Sequence, residues 1–158
     1  MNFSRDLAPL LGTLHDPTID QDAKRRIEQS LVSFRHQPDA LSQCQSVLDS
    51  LSSSASPHAH YVAWHALTVV EYWAEYRAPS QPDAASFRDW LFRHVSSSSS
   101  AAAPAFLSTK SLKCVISLAR SCWPRLLPTL LFDDVISLLP SSASLRVIAL
   151  ASEELCPP

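Results

Sequence analysis

Glycine is almost absent from this sequence, which contains a single one, Gly12, in 158 residues. Hairpin turns and bulges in β-sheets depend on glycine for backbone angles that other residues avoid, so its scarcity argues against a sheet protein. β-Branched residues are also sparse, whereas serine, alanine and leucine are plentiful. The composition therefore predicts an all-α protein, and its length suffices for one domain with a substantial core.

The scarcity of glycine also argues against several kinds of catalytic and cofactor site. One glycine cannot build a phosphate-binding loop, and no Gly-x-Ser-x-Gly turn is present to expose a nucleophilic serine. His58, His60 and His65 lie close together, but no carboxylate or cysteine joins them at metal-ligand spacing. We therefore expect no enzyme activity, no cofactor and no metal site.

The sequence also lacks an excess of basic residues. Its 13 Lys and Arg residues are outnumbered by 15 Asp and Glu residues, which gives a net charge of −2. A nucleic-acid surface needs clustered basic residues for its phosphate contacts, and Lys24-Arg25-Arg26 is too short a cluster to provide them. We expect no nucleic-acid partner.

Long apolar runs are missing too. No run reaches the roughly 18 apolar residues of a membrane span, and the amino terminus lacks an apolar stretch of signal-peptide length. The four cysteines are far apart, and we interpret them as reduced packing residues of an intracellular protein. They are Cys44, Cys114, Cys122 and Cys156. A soluble protein of the nucleus or cytosol is expected.

Proline and serine turns divide the chain into predicted helices, each with an apolar stripe at three- and four-residue spacing. These helices are expected at 3–14, 22–36, 39–51, 57–77, 83–95, 105–123, 126–139 and 144–156. Asp20 or Asp22 is placed to cap the second helix. The segment 96–103 contains only five serines and three alanines, and it predicts a flexible loop.

Taken in pairs, the predicted helices repeat at roughly 35–45 residues, the range of HEAT and armadillo units. A single helical pair is too thin to bury its own apolar stripe, so the pairs must stack on one another. The expected fold is a right-handed α-solenoid of about four HEAT-like helical hairpins. The repeats would cover approximately 1–37, 38–78, 82–124 and 125–156 of a domain spanning 1–158.

The helix expected at 105–123 is the most informative. Its apolar stripe consists of Leu112, Val115, Leu118, Ala119 and Cys122. The opposite face, predicted to be exposed, carries Lys110, Lys113, Ser117 and Arg120. Pro124 disfavours helical geometry at Trp123 and so predicts the end of the helix there.

In the helix expected at 57–77, some aromatic residues lie on the polar side, away from the apolar stripe. Aromatic residues are unusual in that position, which indicates that the polar side is a covered surface. Its polar side carries Tyr61, His65, Thr68, Tyr72 and Glu75. Tyr72 is the aromatic residue most readily assigned to an interface. The four tryptophans are predicted to pack in the core or between repeats: Trp64, Trp73, Trp90 and Trp123.

Four stretches together resemble the importin-β superfamily, and within it the exportin branch. Lys24–Phe34 followed by Pro38-Asp39-Ala40 is similar to the amino-terminal signature of the superfamily. Three further motifs are similar to exportin repeats: Tyr61-Val62 with Leu67–Glu71, Lys110-x-x-Lys113 with Arg120-x-x-Trp123-Pro124, and Leu150–Leu155. The resemblance covers about residues 20 to 155.

This resemblance implies the amino-terminal arch of a nuclear export receptor, whose inner helices bind the small GTPase Ran in its GTP form. The implied inner helices are 22–36, 57–77, 105–123 and 144–156. The implied Ran contacts are Arg25, Glu28, His65, Thr68, Tyr72, Glu75, Lys110, Lys113 and Arg120. Mixed charge with exposed aromatic rings suits a protein partner.

The most similar subfamily exports actin with profilin, which implies a protein cargo, bound only by a longer chain, and contacts with nuclear pore proteins. Shuttling between nucleus and cytoplasm is expected. Two alternatives stay open at the level of sequence. One is a helical-repeat scaffold or adaptor unrelated to Ran, and the other is a truncated product without an independent role.

Overall fold

A computed structural model of the chain describes residues 1–14, 16–51, 56–78, 84–98, 104–123, 125, 127, 130–138 and 141–155. Over these residues the fold is all-α, as predicted, with eight α-helices, two π-helical turns and no strand. The helices are α1 (Ala8–Leu14), α2 (Gln21–Phe34), α3 (Ala40–Leu51), α4 (Pro57–Tyr76), α5 (Ala84–Ser98), α6 (Ala105–Cys122), α7 (Val135–Leu138) and α8 (Ser141–Leu155). The solenoid arrangement of these helices stays a prediction.

The chain divides into two compact units, which are described separately. Unit 1 comprises Met1–Val70 and unit 2 comprises Glu71–Pro158. The division falls within α4, which is continuous from Pro57 to Tyr76.

Unit 1 is built around the start of the chain. A π-helical turn, Phe3–Leu7, precedes α1 and places Phe3 against Phe34 of α2, with 5.2 Å between the ring centroids. Both rings are fully buried. The backbone N–H of Phe3 donates to Oε1 of Gln43 at 2.7 Å, which ties this turn to α3 as well. Phe3 and Leu7 of this turn are therefore part of the core of unit 1.

Side-chain caps fix two helix starts in unit 1. Asn2 accepts a hydrogen bond from the backbone N–H of Arg5 at 2.9 Å. Asp20 accepts one from Ala23 at 3.3 Å, so the capping residue of α2 is Asp20. Each bond satisfies an amide that has no acceptor within its own helix.

The single glycine occupies a point of close approach in unit 1. A Cβ atom at Gly12 would lie 3.1 Å from Nδ1 of His58, at the start of α4. That distance is shorter than ordinary van der Waals contact, so a larger residue would require the imidazole to shift.

Unit 2 is organised around α6, which packs against both α5 and α8. Every residue from Cys114 to Ala119 is buried, so the helix is covered on all sides along this stretch. The predicted polar face is wrong at Lys110 and Ser117, whose exposed fractions are 9% and 5%. The physical reason is that a second layer of helix covers the side opposite the apolar stripe.

Lys110 is buried because it has an internal counter-charge. Its ammonium group forms an ion pair and hydrogen bond with the carboxylate of Glu71 in α4. A second polar contact joins the same two helices, since Oγ of Ser121 donates to the backbone carbonyl of Ala74 at 2.6 Å. Polar contacts thus link α6 to the carboxyl-terminal part of α4.

Aromatic rings line α5. Trp73 contacts Phe87 with 4.6 Å between centroids, and Phe87 is followed at helical spacing by Trp90 and His94. Trp90 is buried, as predicted, and Trp73 is half-buried. Trp64, in contrast, keeps 37% of its surface exposed, which is more than the predicted packing role implies.

The predicted helix at 126–139 is shorter than expected. The described residues become helical only at a π-helical turn, Leu130–Asp134, which leads into the four-residue α7. Oγ of Ser144 donates to the carbonyl of Val135 at 2.8 Å, and Arg88 forms an ion pair with Asp134 at 2.9 Å. These contacts connect the turn to α8 and α5.

The predicted loop at 96–103 is wrong for its first residues, because α5 continues to Ser98. Residues 99–103 lie outside the part of the chain that is described. Pro124 and Cys156 are outside it too, whereas Trp123 ends α6 in extended geometry, as predicted, and is half-buried.

The cysteine prediction is confirmed at the three described positions. Cys44, Cys114 and Cys122 are free thiols with exposed fractions of at most 1%. Burial raises the pKa of Cys44 to about 12, and burial together with the charge of Glu71 raises the pKa of Cys114. A raised pKa keeps the thiols of Cys44 and Cys114 protonated at neutral pH, so these two side chains lack the thiolate that reacts.

The thiols of Cys44 and Cys114 should therefore resist alkylation. In a Cys156→Ser background at pH 8, we expect native protein to react with iodoacetamide at least about 100-fold more slowly than urea-unfolded protein, because raised pKa and burial both suppress the reactive thiolate. Mass spectrometry of the labelled peptides measures each site. Equal labelling rates in the folded and unfolded protein would contradict the burial.

Loss of the Lys110 charge should destabilise the protein, because it leaves the half-buried Glu71 carboxylate unpaired. We expect Lys110→Met to lower the free energy of unfolding by about 1.5–3 kcal/mol. Lys113→Met is the matched control, because Lys113 is exposed one turn further along α6. This substitution should change the free energy of unfolding by less than about 0.5 kcal/mol. Urea unfolding followed by circular dichroism measures both, and equal losses would contradict the structural role of Lys110.

Candidate functional site

The predicted contacts on α2 lie together on the surface of unit 1. Arg25 and Glu28 are exposed and line a shallow depression along α2 with Val32, which is 47% exposed. Arg25 lies 3.7 Å from the carboxylate of Asp22, and both side chains are largely exposed. Exposed pairs of this kind contribute little to stability, so the arginine can exchange its partner at low cost.

The predicted contacts on α4 in unit 1 have different degrees of exposure. Thr68 is exposed and its Oγ1 donates to the carbonyl of Trp64 at 3.0 Å, whereas His65 is half-buried. Tyr61 and Trp64, both 37% exposed, lie at helical spacing from His65 and Thr68 and so share a side of α4 with them. Sequence reasoning assigned Trp64 to packing, although its three-residue spacing from Tyr61 indicated the polar side.

Tyr72 and Glu75 are both half-buried in unit 2. The ring of Tyr72 lies 5.0 Å from that of Tyr76, which at 61% is the most exposed aromatic residue that the structure describes. Sequence reasoning missed Tyr76 as a surface residue, and the signal was its four-residue spacing from Tyr72. Paired aromatic rings at the surface are typical of protein interfaces.

The three predicted contacts on α6 differ in their exposure to solvent. Lys113 and Arg120 are exposed and lie two turns apart on the same side of the helix. Lys110 is paired with Glu71 within the protein and is not presented to solvent, and its contact with a partner stays a prediction. Two cations, rather than three, are presented to solvent by α6.

An exposed apolar face on α8 was not predicted as a site. Leu145 is 69% exposed and Ile148, one turn later, is 43% exposed. Ile136 in α7 is 62% exposed as well. The three-residue spacing of the two residues in α8 was the available signal, but sequence alone could not separate this face from the buried one that contains Val147 and Ala151.

The predicted contacts thus form small groups on individual helices. Arg25 and Glu28 are neighbours on α2, and Lys113 and Arg120 share a face of α6. These groups combine charge, hydroxyl and aromatic surface. Such surfaces can bind a protein, whereas nothing in them joins a nucleophile to a base.

No group of three or more His, Cys, Asp or Glu side chains in the described ranges is placed to hold a metal ion. In the same ranges, every helix is too short or too polar to span a bilayer. No protein-family model, no curated protein and no solved structure matches this chain.

Proposed function

We propose that this chain is the amino-terminal helical-repeat region of a nuclear export receptor and binds Ran-GTP. In the proposed arrangement the helix pairs stack as a right-handed α-solenoid of HEAT-like repeats. The observation that supports the proposal best is the exposure of polar residues on the helices that the exportin resemblance assigns to the inner side. Arg25 and Glu28 on α2, Thr68 on α4, and Lys113 and Arg120 on α6 are exposed.

The proposed contacts differ from the predicted ones at two positions. Lys110 is excluded because it neutralises Glu71 in the core of unit 2. The remaining contacts are Arg25, Glu28, His65, Thr68, Tyr72, Glu75, Lys113 and Arg120, to which we add the exposed ring of Tyr76. A charged surface with an aromatic pair favours fast, specific association with a protein of complementary charge.

The exposed apolar face of α8 fits the same proposal. In a longer receptor, the next helix pair would cover Leu145 and Ile148, as neighbouring repeats do in solenoids. Cargo, in the nearest subfamily actin with profilin, would be bound by that longer chain, and nuclear pore proteins are further proposed partners. A receptor of this kind would shuttle between nucleus and cytoplasm.

A helical scaffold or adaptor that is unrelated to Ran is the second candidate. The observation in its favour is that Leu145 and Ile136, the two most exposed large apolar side chains among the described residues, lie outside the proposed Ran contacts. An adaptor would bind a partner through these residues in a manner independent of nucleotide state.

Binding to Ran in its two nucleotide states separates the two candidates. We expect immobilised chain to bind Ran loaded with a non-hydrolysable GTP analogue at least roughly tenfold more tightly than Ran-GDP, a difference of about 1.4 kcal/mol. Biolayer interferometry measures both affinities. Equal binding of the two forms, or none, would rule out the export-receptor proposal and leave the adaptor.

A pair of charge reversals locates the surface. Lys113→Glu combined with Arg120→Glu should weaken Ran-GTP binding by roughly tenfold or more, because the change reverses the charge of the exposed face of α6. Arg93→Glu is the matched control, since Arg93 is an exposed cation of α5 outside the proposed contacts. Equal weakening by the control would indicate a general effect of net charge and contradict the assigned surface.

A further inference from the structure

A small cavity lies between α5, α6 and α8 within unit 2, apart from the proposed Ran contacts. Its volume is about 110 Å³, well above the roughly 10–15 Å³ that a single water molecule needs. Val95 and Leu112 form its apolar wall. Of the residues that the structure describes, the polar ones in the lining include no carboxylate and are Ser108, Ser111, Ser142 and Arg146.

Ser111 is the least expected member of this lining. It is 1% exposed, and its Oγ has no hydrogen-bond partner among the described residues. Helical hydroxyl groups usually bond to the carbonyl one turn earlier, as Thr109 does with Ala105 at 2.9 Å in the same helix. Burial of an unpaired hydroxyl group is unfavourable, so a polar group that occupies the cavity and bonds to Ser111 would remove this cost.

Arg146 supplies a positive charge to the cavity. Its guanidinium group donates to Oγ1 of Thr109 at 2.9 Å, which holds it against α6. Among the described residues it forms no ion pair with a carboxylate. The charge is therefore positioned at the cavity without a counter-ion from the described part of the chain.

The amino-terminal end of α8 forms another part of the lining. Ser142 and Ala143 lie in the first turn of this 15-residue helix and both border the cavity. The first backbone amides of a helix have no acceptor within it, and the helix dipole is positive at this end. Together with Arg146, this end favours a negative ligand and disfavours a cation.

We propose that this cavity binds an oxyanion of the size of phosphate. The anion would accept hydrogen bonds from Arg146, from the hydroxyl of Ser111 and from the first turn of α8. Ser142 and Arg146 are exposed, so the cavity is reached from solvent. The free phosphate ion and a phosphorylated side chain offer the same oxyanion chemistry. The affinities for inorganic phosphate and for O-phosphoserine distinguish these two sources.

Isothermal titration calorimetry with inorganic phosphate, in chloride buffer of matched ionic strength, tests the site. We expect saturable binding of one phosphate per chain. Arg146→Gln should weaken it by roughly tenfold or more, as loss of a charged hydrogen bond does, and Ser111→Ala by about threefold to tenfold. Arg125→Gln is the matched control, because Arg125 is exposed in the same unit and does not line the cavity.

A parallel titration with O-phosphoserine identifies the source of the anion. Tighter binding than that of inorganic phosphate assigns the site to a phosphorylated side chain, and weaker binding assigns it to the free ion. The proposal is overturned by an absence of saturable phosphate binding, by equal weakening in Arg125→Gln, or by unchanged affinity in Ser111→Ala. Circular dichroism of each variant confirms that it is folded, and alanine at position 111 is well suited to a helix.

Discussion

The enclosure of α6 is the constraint on which the rest of unit 2 depends. A helix covered by α5 on one side and α8 on another has few positions left at which a polar group can reach water. Each polar residue of α6 therefore needs an internal partner or lies at one of the remaining exposed positions. Lys110 and Ser121 have partners in α4, Lys113 and Arg120 are exposed, and Ser111 borders a cavity.

The existence and type of the helices were largely predictable from the sequence. Apolar residues at three- and four-residue spacing identify a helix, and residues such as Asp20 and Pro57 mark its start because of local backbone chemistry. These signals act over a single turn, so they do not depend on the tertiary structure. The region around α7 was less predictable, because an apolar run such as that after Leu126 can form a helix or an irregular segment that is equally buried.

The candidate site was less predictable than the helices. Lys110 and Lys113 have the same charge and are one turn apart, yet one is buried and the other exposed. The periodicity of a sequence identifies the apolar stripe of a helix. Whether another helix also covers the opposite side depends on residues that are distant in the sequence. Glu71, which determines the position of Lys110, is 39 residues away. Trp64 is partly exposed despite its size for the same reason, because the size of a side chain does not determine whether another helix covers it.

The burial of consecutive residues in α6 has a consequence for the dynamics of unit 2. A backbone amide exchanges its hydrogen with water only when its hydrogen bond opens, and opening is cheapest where few neighbours must move. Between Cys114 and Ala119 any opening has to displace packed helices on several sides. Exchange in this stretch then requires a cooperative opening in which the packed helices move together.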